Sequence, residues 1–306
     1  MMDLWNHLIG PFAEFAFMRR ALVATLALSV SAAPLGVFLT LRRMSLLGDA
    51  ISHAVLPGVA VAYMLAGLSL TAMAAGGVVA GMLAAGLAGL ISRFTTLKED
   101  ASLAAIYLVA LALGVTLLSR HGTQLDLLHI LFGSALGVDD PGLLLVVGVA
   151  SCSLIALAAL YRGLVLETFD PTFMAASGQR SWVWQQAFLM LVVINLVAGF
   201  QTLGTLMAVG LMMLPAVSAR LWHEHLSAQL VNASVQAALA SVAGLLVSYH
   251  LDTPSGPTII GCAGALYALS VTASGYSSGD SVAFFEGGEG MEPWKRMQRA
   301  STRTPL

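Results

Sequence analysis

Asp49 and His53 stand four residues apart in LLGDAISHAVLPG (46–58), a stretch that is otherwise apolar. At i and i+4 they project from one face of a helix. A carboxylate oxygen beside an imidazole nitrogen suits a borderline divalent cation such as Mn(II), Zn(II) or Fe(II). The absence of a thiolate in the stretch argues against Cu(I). Pro57 has no N–H, so the carbonyl of His53 loses its helical donor. Gly58 lets a neighbouring helix come close. Acid, imidazole and break together make a polar notch able to hold a cation in transit. The same residues admit a structural account: Asp49 as a helix N-cap, His53 as a core imidazole donating to a carbonyl.

The solvent around this segment follows from composition. The chain has 306 residues, 58% hydrophobic and 10% charged, with a mean hydropathy of +0.85. Soluble domains carry about 25% charge, so this chain is expected to fold in a bilayer. There, a charged group at mid-membrane costs roughly 2.5–3.5 kcal/mol and usually faces a polar interior. No basic stripe with interleaved aromatics is present, which excludes a nucleic-acid partner. Cys152 and Cys262 are too few for a disulfide framework or a CxxC metal site and are read as small buried hydrophobes. The N-terminus lacks the basic region of a cleaved signal peptide.

Uncharged runs of about 20 residues, the length of a spanning helix, fall at 21–41, 46–66, 69–92, 101–119, 141–161, 182–200, 203–219, 227–249 and 256–275. The fold expected is all-α and polytopic, with eight to nine transmembrane helices. The uncertain span is 203–219, which Gly and Pro interrupt. With the tail in the cytoplasm, Arg42, Arg43, Arg93, Lys98, Arg162, Arg180, Arg220, Lys295, Arg296, Arg299 and Arg303 all lie inside. Arg19, Arg20 and Arg120 lie outside. That bias orients the chain with its N-terminus outside. The expected organisation is an extracytoplasmic segment 1–17, a membrane domain 18–275 and a cytoplasmic, disordered tail 276–306, rich in Gly, Ser and Glu before it turns basic. In the third run Gly77, Gly81, Ala85 and Gly89 repeat a small-residue spacing that favours close helix packing.

Other features carry less chemistry. The longest inside loop, 162–181, holds a helix signal: Asp170 as cap, Pro171 at the first position and Gly178 as terminator. It reads as a connector or as a docking element for a cytoplasmic partner. VLPGV at 55–59 is echoed by MLPAV at 213–217, so Pro57, Gly58 and Pro215 are candidates for gating the pathway. His121, Asp126, His129, Asp139, Asp140, His250 and Asp252 fall outside and are candidate vestibule groups. Asn195 is expected to hydrogen-bond between helices. Glu99 and Asp100 are expected to be solvated.

RRMSLLGDAISHAVLPGVAVAYMLAG resembles the signature of permease subunits of the manganese/zinc/iron family of ATP-binding-cassette importers. The likeness continues in ILFGSALGV (130–138), LVLETFDPTFMAASG (164–178), LGTLMAVGLMMLPAVSARLW (203–222) and LDTPSGPTIIGCAGALYALS (251–270), and covers about 18–275. The resemblance implies a multi-pass subunit of the bacterial cytoplasmic (inner) membrane, with a fold like that of the vitamin B12 and siderophore importers but fewer helices. It implies a second permease subunit (a homo- or heterodimer), cytoplasmic ATPase subunits and an extracytoplasmic metal-binding protein. It places Asp49 and His53 on the metal path, and Asp170, Pro171, Phe173 and Gly178 in the segment that couples to the ATPase. The metal is cargo, and no permanent cofactor is implied. The longer polar tail departs from the family pattern.

Neither Lys98, after Leu97, nor Lys295, after Trp294, completes a P-loop, so ATP hydrolysis is expected on another polypeptide and the chain is not expected to be an enzyme. A membrane metalloprotease would need HExxH or a comparable cluster, and the sequence has none. The competing expectation is an ion-coupled secondary transporter or channel with Asp49 and His53 as a proton or cation relay.

Overall fold

The structure is a computed structural model that describes residues 10–67, 69–96, 99–120, 135–178 and 181–286. Apolar runs this long become helices because a helix closes its own backbone hydrogen bonds where lipid offers none. After a short α1 (Gly10–Glu14) come α2 (Ala16–Leu41), α3 (Leu47–Ala54), α4 (Leu56–Ala66), α5 (Leu70–Phe94) and α6 (Glu99–Arg120). They are followed by a single 3-10 turn (Ala135–Gly137), α7 (Asp140–Phe169), α8 (Pro171–Ala176), α9 (Ser181–Leu203), α10 (Thr205–Trp222), α11 (Leu226–Leu251) and α12 (Ser255–Glu286). Among the described residues there is no strand. Among the described residues eight spans are long and apolar enough to cross a membrane, α3 and α4 counting as one. The apolar part of α6, Ala101–Leu117, is shorter. The expected all-α, multi-pass architecture is therefore present.

The most enclosed helix is α2, packed against α7, α10 and α11, with α12 closing the far side of α10 and α11. A second group, α3 to α6, packs within itself and meets the first mainly through α9. Side-chain hydrogen bonds tie the first group together. Asn195 of α9 accepts from Ser31 of α2 and donates to Ser153 of α7, the interhelical role expected of it. Ser29 pairs with Ser241 of α11, and Ser218 of α10 donates to Ser270 of α12. Such bonds contribute about 0.6 kcal/mol each in membrane bundles, so close packing carries most of the cohesion.

Several expectations need correction. The span at 203–219 is not broken at its proline. The helix α10 runs through Pro215, which is buried within it, and the interruption lies at Gly204, whose φ of 95° turns the chain between α9 and α10. Pro57 instead stands in the first turn of α4, where its missing N–H costs nothing. The two proline sites are therefore not structural equivalents. The chain is also helical to Glu286, so the first part of the segment read as a disordered tail is a continuation of α12. Cys152 is exposed and Cys262 half-buried rather than core; in lipid, an outward thiol need not be polar.

Gly58 marks one of the close helix approaches. A Cβ there would overlap the Gly76 carbonyl and the Ala80 methyl of α5. Gly58→Val is expected to destabilise the protein by about 1–3 kcal/mol through overpacking. Gly86→Val, at a position with open space around it, should leave stability unchanged. Thermal unfolding in detergent measures both.

Candidate functional site

Helix α3 presents Leu47, Ile51 and Ala54 to the core, and Asp49 and His53 project from its other side. The Nε2 of His53 lies 3.9 Å from an Asp49 carboxylate oxygen, with the side chains 27% and 66% exposed. That is too long for a hydrogen bond. It is short enough for one cation to touch both atoms at metal–ligand distances of about 2.0–2.2 Å. Asp49 is no cap: the residue before the helix is Leu46, and Asp49 stands inside the first turn. Among the described residues neither side chain is hydrogen-bonded to the main chain; the imidazole stacks at 6.0 Å from Tyr107, midway along α6. The hydroxyl of Ser52 donates to the Asp49 carbonyl at 2.6 Å. Among the described residues no group of three or more His, Cys, Asp or Glu is placed to hold a metal ion. The pair is thus an incomplete ligand set on an open face.

Helix α8 forms as its local chemistry requires. Asp170 accepts hydrogen bonds from the Phe173 N–H at 2.9 Å and the Thr172 hydroxyl at 2.7 Å. Pro171 opens the helix and Gly178 follows it at φ 79°. The Thr172 hydroxyl, then the Phe173 amide, hold the Asp170 carboxyl below the usual aspartate range. Because these bonds favour the charged form, the cap is fully made above the ordinary aspartate value. It is lost only as pH falls through the lowered one.

One turn before α8, Glu167 forms an ion pair with Arg42, both nearly buried. Arg42 also donates to the Thr168 hydroxyl at 3.1 Å and lies 4.5 Å over the Phe188 ring of α9. Ser181 donates to Glu167 at 3.3 Å. This knot joins the C-terminus of α2, the last turn of α7 and the first turns of α9. Only the residues from Arg43 to Leu46 separate Arg42 from α3.

Residues 14–274 match the ABC 3 transport family. The chain belongs to that family. It is 34% identical over 262 residues to the manganese import system permease protein ScaB of Streptococcus parasanguinis, covering 86% of this chain and 92% of the relative. To the chelated iron transport system membrane protein YfeD of Yersinia pestis it is 32% identical over 260 residues, covering 85% of this chain and 86% of the relative. Among solved structures, PsaBC from Streptococcus pneumoniae in complex with Fab matches with a TM-score of 0.77 and 31% identity. That match covers 88% of this chain and 95% of the other.

In this ABC 3 family member the remaining candidates are not gathered into one site. His121, Asp126 and His129 lie outside the described residues. Asp139 caps α7 by accepting from the Gly142 N–H at 2.9 Å, and Asp140 pairs with Arg20 at 2.8 Å. His250 bonds to the Leu246 carbonyl, and Asp252 ends α11 in the left-handed conformation. These are structural assignments. The Arg42–Glu167 knot was not anticipated from the sequence, because its partners lie far apart along the chain. A charge at the end of each of two apolar runs on the same membrane side was the available hint.

Removing one partner of a buried ion pair strands the other. Glu167→Ala is expected to cost about 3–5 kcal/mol, seen as a lowered unfolding temperature in detergent. Replacing both residues, Arg42→Met with Glu167→Leu, should recover most of that loss.

Proposed function

We propose that this chain is the membrane-spanning permease subunit of an ATP-driven importer that carries a divalent transition metal ion, Mn, Zn or Fe, across the bacterial cytoplasmic membrane. One observation carries the reading: an acid and an imidazole 3.9 Å apart on the open face of a helix in an apolar chain, without main-chain hydrogen bonds among the described residues. Family membership and the metals in the relatives' names support it. An importer must release its cargo, and two protein ligands hold an ion weakly enough to let it go. The half-open set is completed by a second permease subunit facing the first, with water supplying the rest. An extracytoplasmic metal-binding protein delivers the ion.

ATPase subunits dock at α8, where the Asp170 cap, Pro171, Phe173 and Gly178 fix a rigid knob; the Phe173 side chain is 58% exposed. A push on α8 enters the last turn of α7, crosses the Glu167–Arg42 pair to the end of α2, and reaches α3 through residues 43–46. Movement of α3 shifts Asp49 and His53 between the two sides. Pro57 and Gly58, at the start of α4, and Pro215 within α10 are the points at which that motion bends or slides.

Asp49→Ala and His53→Ala should each lower metal uptake more than about 100-fold, since even outer-shell losses around metal ligands cost 10–100-fold. Assembly with the ATPase and its ATP binding should persist. Isotope uptake in vesicles holding the whole complex measures this, and normal uptake by both variants overturns the proposal. Uptake by the chain alone, with no ATPase, would point instead to an ion-coupled transporter. Asp170→Ala should uncouple ATP hydrolysis from uptake by fraying α8, whereas Asp170→Asn, a good cap, should retain coupling.

A further inference from the structure

A histidine that binds a metal is ordinarily oriented through its second ring nitrogen, which donates to a carboxylate, a carbonyl or water. His53 has Nε2 3.9 Å from Asp49, and among the described residues no group is hydrogen-bonded to its Nδ1. The torsion that turns an imidazole is broad, so it does not set the ring plane by itself. What stands beside this ring is Tyr107, half-buried on α6. The two ring centres are 6.0 Å apart and their planes differ by 30°. The position of Tyr107 is itself fixed, because α6 packs along both α3 and α4. Seven residues on, on the same face of the helix, Gly114 lies close against α4. A Cβ added there would stand 3.0 Å from the Leu56 Cβ and 3.1 Å from the Pro57 nitrogen. That close approach sets the height of α6 against α4, and with it the level at which Tyr107 meets α3.

We propose that Tyr107 is a positioning residue for the metal pair: its ring flanks the His53 imidazole and keeps Nε2 turned toward Asp49, so that one ion can touch both. The inference rests on the importer reading above. Aromatic rings attract at centroid separations of about 4.5–7 Å, and the Tyr107–His53 contact falls in that range. An imidazole free to swing on an open helix face has to be ordered each time an ion arrives, and that cost is subtracted from the affinity. A ring already in place removes much of it. Tyr107 acts through His53 and not on the ion, so it sharpens capture without adding a third ligand to a site that must let its cargo go. The part of Tyr107 that does this is the flat ring; the hydroxyl is not required.

The test uses the full complex with its ATPase and Mn²⁺ as the probe. Tyr107→Leu should raise the KM for Mn²⁺ uptake about fivefold, the size of one aromatic pair's contribution, with little change in the maximal rate. Mn²⁺ affinity read by paramagnetic resonance should fall by the same factor. Tyr107→Phe, which keeps the ring, should retain the wild-type KM and affinity. A wild-type KM in Tyr107→Leu overturns the proposal. So does an equal loss in Tyr107→Phe, because the contact would then belong to the hydroxyl. A fall in maximal rate that outweighs the change in KM overturns it as well, since that is the mark of a distorted bundle. Should Tyr107→Leu fail to assemble, Tyr107→Met, which fills the site without a ring, decides on the same readings. Failure of both to assemble makes Tyr107 a packing residue and overturns the proposal too. The importer reading stands apart from these outcomes: it fails if Asp49→Ala transports normally, whatever the Tyr107 variants do.

Discussion

A main-chain amide or carbonyl inside hydrocarbon has no water to turn to, and this constraint decides where the chain can bend. The described part of the chain breaks its helix inside one span and turns tightly between two others. The first place is Val55, between α3 and α4, with Pro57 just beyond it. The second is Gly204, between α9 and α10, where the amide of Gly204 still bonds back to the Gly199 and Phe200 carbonyls at 3.1 and 3.2 Å. Both breaks border the same cavity. In a membrane bundle, irregular backbone is tolerated where it is buried in protein or lines a cavity rather than facing lipid. The positions of the breaks and the position of the cavity are two expressions of one requirement.

The same constraint sorts the charged groups. The acid and imidazole of α3 stand on its open face, away from the packed core. Arg42, nearly buried, is neutralised by Glu167 and flanked by an aromatic ring. One pair is left unsatisfied so that it can exchange partners. The other is saturated so that it cannot move without moving three helices with it. In the mechanism proposed above, the first is the compliant contact for the passing cargo and the second the stiff contact through which force enters.

Much of this was legible in the sequence, and the parts that were not share a cause. The spans follow from run length, and α8 follows from Asp170, Pro171 and Gly178, because capping and proline geometry are local. The acid and imidazole were visible because charge is rare in lipid. What remained hidden was the difference between inside and outside. Lipid tails are as apolar as leucine, so Leu144, largely exposed, and Leu164, fully buried in the same helix, carry no distinguishing pattern. Cys152 was misplaced for that reason. The Pro215 and Gly204 reversal has a different origin: a proline within a helix is accommodated by close packing around it, whereas only glycine accepts the φ that the turn at 204 demands. Tyr107 gave no signal, since an aromatic residue in an apolar helix is ordinary until its ring is seen beside His53.

The last helix has a geometric consequence of its own. At a rise of about 1.5 Å per residue, its 32 residues reach roughly 48 Å, against a hydrocarbon layer about 30 Å thick. Even a steep tilt of about 40° leaves a length in projection greater than that layer. Its N-terminus follows the turn at Pro254, so the surplus emerges at the other end, as a post standing clear of the lipid on the side where α8 lies. Any large protein that settles on that surface has to fit around the post, which restricts the angles from which it can approach.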